Sequence, residues 1–154
     1  MLEIERKFLV DASQWHPTTS GEKLIQGYLS TDKNRVVRVR VKGEKAFLTI
    51  KGRSERITRT EMEYEIPLGD ALVLLEMCPD HPIVKTRYKE KVADKIWEID
   101  VFEEQNTGLL LAEVELLDEN EMVEIPLWAT EEVSTNERYF NAYLSKHPFK
   151  DWEK

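Results

Sequence analysis

Val36-Val37-Arg38-Val39-Arg40-Val41-Lys42-Gly43-Glu44-Lys45-Ala46-Phe47-Leu48-Thr49-Ile50-Lys51 alternates with period two on both sides of a Gly43-Glu44 break. Side chains on a strand point to opposite faces in turn, so the stretch is expected to be a β-hairpin. A two-residue loop with Gly in first place suits a tight hairpin turn. That loop pairs Arg38 with Thr49 and Arg40 with Phe47. Arg38, Arg40 and Lys51 then share one face, while Val37, Val39 and Val41 join Ala46, Leu48 and Ile50 on the other. The two halves agree in register, which supports both strands.

The same alternation extends outward over most of the chain. Strands are expected near Leu2–Asp11, Lys23–Thr31, Arg35–Lys42, Lys45–Gly52, Ile57–Leu68, Pro82–Lys91, Lys95–Glu103 and Leu110–Asp118. Two helices interrupt them. Asp70 is a candidate N-cap for Ala71–Met77, and Ser134 with Glu137 has capping-box spacing ahead of Tyr139, Ala142, Tyr143 and Leu144. A third short helix is expected around Asp118–Val123. Antiparallel strands of this number point to a barrel or a sandwich with helices at its edge.

Charges on these strands are sorted by sign. Glu3, Glu5 and Lys7 share a face of the first strand. Glu61, Glu63 and Glu65 share one on the fifth. Lys85 and Arg87, Glu98 and Asp100, and Glu113 and Glu115 follow on the next three. A solvated sheet face explains alternation as such, but it usually mixes signs. Like charges two apart on a strand lie about 7 Å apart, and at an effective dielectric near 20 they repel by roughly 2 kcal/mol. Water reduces that to well under 1 kcal/mol; an enclosed barrel would not, unless ligands neutralised each cluster. Carboxylates are hard oxygen ligands for Mg²⁺, Mn²⁺ or Ca²⁺, and clustered Arg and Lys suit phosphate oxygens. One ligand answers both demands: a metal-bound polyphosphate.

Composition narrows the alternatives. The chain has 154 residues, enough for one domain with a core and too few for two ordinary ones. Against 22 basic residues stand 30 acidic ones, a formal net charge of −8, which argues against general binding to nucleic acid or an anionic membrane. With one cysteine, no signal-like start and no apolar run of membrane-spanning length, a soluble cytoplasmic protein is expected. His16, His81 and His147 lack zinc-site spacing, and Cys78 has no basic neighbour in sequence. No phosphate-loop, Ser-elbow or dinucleotide fingerprint occurs.

Glu3-Ile4-Glu5-Arg6-Lys7 resembles the glutamate-x-glutamate-x-lysine signature of the CYTH superfamily, the triphosphate tunnel metalloenzymes. The resemblance continues through Gln26-Gly27-Tyr28-Leu29, Arg38-Val39-Arg40, Thr49-Ile50-Lys51, Glu63-Tyr64-Glu65, Lys85-Thr86-Arg87-Tyr88, Glu98-Ile99-Asp100, Glu113-Val114-Glu115 and Glu137-Arg138-Tyr139. It spans nearly the whole chain and is greatest to the short bacterial inorganic triphosphatases. It implies an α+β, mainly β architecture: one domain over residues 1–154, a closed eight-stranded antiparallel β-barrel with peripheral and C-terminal helices. By position, the resemblance assigns Glu3, Glu5, Glu113 and Glu115 to metal, with Asp100, Glu63 and Glu65; Glu61 competes for the same role. Arg38, Arg40, Lys51, Lys85 and Arg87 would grip phosphates, with Arg59 of like parity, and Arg138 would cap one mouth. Lys7, with Tyr28, would help to activate water. A lysine acts as base only where metal or desolvation offsets neighbouring carboxylates.

The activity implied is hydrolysis of the terminal phosphoanhydride of tripolyphosphate, with Mg²⁺ or Mn²⁺ as cofactor and nucleoside triphosphates as further substrates. A class IV-type adenylyl cyclase, a thiamine triphosphatase and a non-catalytic polyphosphate- or nucleotide-binding module are the alternatives. Small triphosphates are the expected partners, without nucleic acid or membrane, and apolar residues on the outer wall leave room for a homodimer.

Overall fold

In the computed structural model, which describes residues 1–153, nine antiparallel strands form one sheet. Eight coincide with the expected stretches to within a few residues. These are β1 (Leu2–Val10), β2 (Glu22–Ser30), β3 (Val36–Lys42), β4 (Lys45–Lys51), β5 (Thr58–Ile66), β6 (Ile83–Val92), β7 (Lys95–Phe102) and β8 (Leu110–Glu115). The ninth, β9 (Ala129–Glu132), lies in a stretch expected to be a loop. The strand order is β5-β4-β3-β2-β6-β7-β8-β1-β9, and a further β5–β1 pairing closes the first eight into a barrel.

Closure rests on only three register pairs: Leu2↔Thr60, Glu3↔Arg59 and Ile4↔Thr58. Further along the same edge of β1, β9 takes over through Phe8↔Glu132 and Val10↔Ala129. The opposite edge pairs with β8 from Glu5↔Glu115 to Leu9↔Leu111. The β3–β4 hairpin has the expected register, Arg38↔Thr49 and Arg40↔Phe47. Gly43 turns it with φ 63°, a left-handed conformation that glycine adopts without a Cβ penalty.

Apolar residues are placed by strand parity. Outside the barrel, Phe8, Trp97, Ile99, Ala112 and Val114 pack with Trp15 over β1, β7 and β8. Helix α1 (Leu68–Glu76) covers the other side, setting Ala71 against Val39 and Ala46. Inside, one end of the barrel is apolar: Tyr28, Ile83, Phe102 and Leu111 pack with Leu144 of α2 (Asn141–Lys146). The rest of the inner face is left to the charges.

The helices depart from expectation in three places. α1 begins at Leu68 after Pro67, so Asp70 lies in the first turn and does not cap it. The Ser134–Glu137 capping box does not form, because the Ser134 hydroxyl accepts from the Lys7 backbone N–H and so ties the segment to β1. Asn136 accepts from the Arg138 N–H instead, and extended Phe140 splits the expected helix into one 3₁₀ turn (Glu137–Tyr139) and α2. Asp118–Val123 is turn and irregular chain, with the Asp118 carboxylate accepting from the Asn120 N–H. Short polar side chains compete with helix for backbone donors in this way. Among the described residues, no helix is long and apolar enough to cross a membrane.

Candidate active site

The inward faces of β1 to β8 line a cavity of about 660 Å³. The sign sorting seen along single strands becomes a pattern across them. Several acids face bases in register: Glu3↔Arg59, Lys7↔Glu113, Lys51↔Glu61 and Arg87↔Asp100. Two pairs set acid against acid, Glu5↔Glu115 and Glu98↔Glu113. The β7–β8–β1 wall is therefore acidic, and the β3–β2–β6 wall, with Arg38, Arg40, Lys85 and Arg87, is basic.

The basic wall is anchored by one buried carboxylate. Asp100, 2% exposed, takes Arg87 in a bidentate grip (2.8 and 2.9 Å) and Lys85 at 2.7 Å. Burial opposes charge on Asp100, but Lys85 and Arg87 outweigh it and hold its pKa far below the usual range. Lys85, itself 1% exposed, is pushed down to about 7 by burial, with Asp100 opposing and Arg87 and Arg40 adding to the shift. Arg40 is lowered to about 9, chiefly by burial and then by Arg38 and Arg87. Arg38 donates to Thr49 Oγ1 (3.1 Å) and lies 3.4 Å from Glu63. Its buried Nε has no partner among the described residues, a donor available to an anion.

On the acidic wall, Lys51 lies 2.9 Å from Glu3 and 3.2 Å from Glu61. Burial lowers the Lys51 pKa, but Glu3, Glu5 and Glu61 more than reverse it. Lys7 lies 3.5 Å from Glu113 and donates to the Tyr139 carbonyl at 3.2 Å. Glu5 is pushed well above the usual carboxylate range by desolvation first, then by Glu113 and Glu3. Glu3 is raised too, mainly by burial, although Lys51 opposes the shift. Glu113 goes down, because Lys7 and Arg87 outweigh its burial.

Lys7, Tyr28, Arg38, Arg40, Lys51, Arg59, Lys85 and Arg87 all reach this cavity, as do Glu3, Glu5, Glu63, Glu113 and Glu115. Three expected residues do not. Glu65 is exposed, because β5 runs on past the three pairs that close it against β1. Asp100 shares the inward face with Arg87 but is buried beneath the lining, committed to Lys85 and Arg87. Arg138 is exposed and lies over the Trp152 ring (4.2 Å). Glu61, left as a competitor in the sequence, lines the cavity. Two neutral amides, Gln26 and Asn141, also line it. No charge pattern could mark them; Gln26 was hinted at only by sharing the parity of Tyr28 and by lying in the Gln26-Gly27-Tyr28-Leu29 stretch of the resemblance.

Among the described residues, no three acidic or metal-ligating side chains converge as a ready-made metal cage. The carboxylates interact instead in two pairs, Glu3 with Glu61 and Glu5 with Glu113. Mg²⁺ commonly keeps several waters and takes one or two carboxylates plus phosphate oxygens. The desolvated Glu5, pressed by Glu113 and Glu3, is a negative cluster short of a cation, so the donor set fits a hard divalent ion shared with an anionic ligand.

The CYTH domain profile matches residues 1–146. An inorganic triphosphatase of Acetivibrio thermocellus is 43% identical over 152 residues, covering 98% of this chain and 97% of that protein. An inorganic triphosphatase of Nitrosomonas europaea is 36% identical over 149 residues, covering 94% and 97%. The crystal structure of an inorganic triphosphatase superposes with TM-score 0.67 at 33% identity, covering 92% of this chain and 96% of the other. A putative adenylate cyclase from Bacillus halodurans shares the fold at 19% identity and TM-score 0.53. A profile spanning all strands and relatives aligned along nearly the full length place this chain in the CYTH domain family.

Proposed function

We propose that the protein is a divalent-metal-dependent triphosphatase that hydrolyses inorganic tripolyphosphate to pyrophosphate and phosphate, with Mg²⁺ or Mn²⁺ as the ion. The observation that carries this reading is one enclosed cavity with an acidic wall facing a basic one, in a chain 43% identical to an inorganic triphosphatase. Phosphoryl transfer asks chiefly for positioning and neutralisation of oxygen charge. Arg38, Arg40, Arg59, Lys85 and Arg87 grip the phosphate oxygens. Glu3, Glu5, Glu61, Glu113 and Glu115 face them as the ion's ligands. When bound, the ion supplies positive charge beside the phosphoanhydride oxygens.

Water attacks the terminal phosphorus, the bridging P–O bond breaks towards pyrophosphate, and the water's proton passes to a base. Lys7, beside Glu113, is assigned that position, with Tyr28 donating to a phosphate oxygen. Lys85 is the second candidate base, favoured by a pKa lowered to about 7. Replacing each with alanine separates the two: the base is the lysine whose loss lowers kcat far more than affinity, and if it is Lys85 the limb of the pH–rate profile rising through about 7 disappears with it.

Incubating the protein with Mg²⁺ or Mn²⁺ and, in turn, tripolyphosphate, ATP and thiamine triphosphate tests the function itself. Phosphate is expected chiefly from tripolyphosphate. Cyclic AMP from ATP would instead identify a cyclase, and tight binding without any product a binding module.

A further inference from the structure

Gln26 is fully buried on the inner face of β2 and makes three hydrogen bonds. Its Oε1 accepts from Arg40 Nε at 2.8 Å. Its Nε2 donates to the Tyr28 hydroxyl at 2.9 Å and to Asn141 Oδ1 at 3.2 Å. The same Asn141 oxygen accepts from Lys85 Nζ at 2.9 Å. Donor chemistry fixes these orientations. A guanidinium only donates, so the Gln26 carbonyl must face Arg40 and its NH₂ must face the Asn141 carbonyl, the same oxygen that Lys85 reaches. The Gln26 NH₂ is thereby turned to Tyr28, whose oxygen must accept. The phenolic proton then has no acceptor among the described residues and is free for a ligand oxygen in the cavity. Both connectors are neutral where a carboxylate could have paired with Arg40 or Lys85. An amide orients those cations without cancelling the charge a phosphate would meet.

We propose that Gln26, braced by Asn141, is the positioning residue that holds Arg40 and aims the Tyr28 hydroxyl proton at the transferring phosphoryl group, which rests on the triphosphatase reading above. Gln26 touches no reacting atom; it acts through Tyr28 and Arg40.

The test is a double-mutant cycle on the full-length protein with Mg²⁺ and tripolyphosphate, alongside melting curves and calorimetric affinity for tripolyphosphate without metal. Gln26→Met keeps the volume and loses all three bonds. It is expected to lower kcat about ten- to hundred-fold, the scale of a small misplacement of reacting groups, and to weaken metal-free affinity several-fold. In a Tyr28→Phe background the same change is expected to lower kcat several-fold less than in wild type, since the Tyr28 route is already cut and only the Arg40 contact remains to be lost. A merely structural role would multiply through both backgrounds. Gln26→Glu keeps the Arg40 contact but adds charge, so affinity is expected to fall while the melting temperature does not. Should Gln26→Met fail to fold, Asn141→Ala removes one of the Gln26 bonds, and its smaller kcat loss is expected to shrink likewise with Tyr28→Phe. Unchanged kcat in these variants, or fully multiplicative losses, would overturn the proposal. A wild type that releases no phosphate sinks the triphosphatase reading instead. The metal-free affinity of Gln26→Met then decides positioning alone, and an affinity equal to wild type counts against it.

Discussion

Glu5 and Asp100 are both largely buried inward-facing carboxylates, yet their neighbours move them in opposite directions. For Asp100 the folded pKa is depressed, so its contribution to stability is present above about pH 4 and is lost as pH falls. Asp100→Asn leaves Lys85 and Arg87 without their shared counter-charge. Removing one partner of a buried ion pair typically costs about 3–5 kcal/mol. Urea unfolding at pH 7 should show a loss of that size, and the gap from wild type should narrow below about pH 4. Glu5 has the opposite sign. Its folded pKa is raised, so its ionised form strains the fold, and stability declines as pH rises from about 4 through the raised value. Glu5→Gln removes that charge and keeps a donor for Glu113. The metal-free variant is expected to melt higher than wild type, by about 2–4 °C per kcal/mol gained, yet to need more metal for half-maximal activity. A lower melting temperature, or an unmoved metal curve, would remove Glu5 from the ligand set. Active sites often hold such groups at the expense of stability.

At the scale of elements, β2 shows how one strand serves two surfaces. Gln26 and Tyr28 face the cavity, and Gly27 between them faces α1. A Cβ at Gly27 would lie 2.8 Å from Cys78 Sγ and 3.1 Å from Leu75 Cδ2. Gly27→Ala should therefore cost about 1–3 kcal/mol of stability as overpacking, and Gly27→Ala with Cys78→Ala should recover much of it. Phosphate release per folded molecule should be nearly unchanged in both; a large fall in kcat would mean that α1 and the cavity are not separate surfaces. Alternation made eight strands legible in the sequence, because most of them bury one face against the outer packing layer and turn charge inward; β5, with Met62 and Tyr64 exposed, alternates without that burial. β9 was not legible: Ala129-Thr130-Glu131-Glu132 has a single buried residue, and its pairing depends on an edge of β1 that no local pattern reveals. The C-terminal helix was misjudged at Ser134 because a tertiary bond to β1 took the hydroxyl from the cap. At the site, charged positions could be seen by parity. Glu65 has the right parity and the wrong location, since parity says which face a residue occupies and not where the barrel closes. Asn141 needed the path of the chain past Phe140, which sequence does not encode locally.

Across the whole molecule, a net charge of −8 surrounds a cavity whose basic wall is suited to a polyanion. Without ligands the carboxylates of the acidic wall are neutralised in part by lysines, Lys51 with Glu3 and Glu61, and Lys7 with Glu113. A cation on the carboxylates competes with those lysines and releases them towards phosphate oxygens; a polyanion on the bases releases the carboxylates towards metal. The two ligands should therefore bind with positive coupling, and linkage requires each to strengthen the other by the same factor. Melting curves can read this without turnover if a non-hydrolysable triphosphate analogue is used. Mg²⁺ alone and the analogue alone should each raise Tm modestly, following RT ln(1 + [L]/Kd). Together, at the same free concentrations, they should raise it by more than the sum, with a coupling of about 1–3 kcal/mol, or roughly 5- to 150-fold in affinity. Magnesium binding to the analogue in solution gives no such excess once free concentrations are matched. A merely additive shift would mean that acidic and basic walls bind their ligands independently, and the shared-ligand reading of the cavity would fail with it.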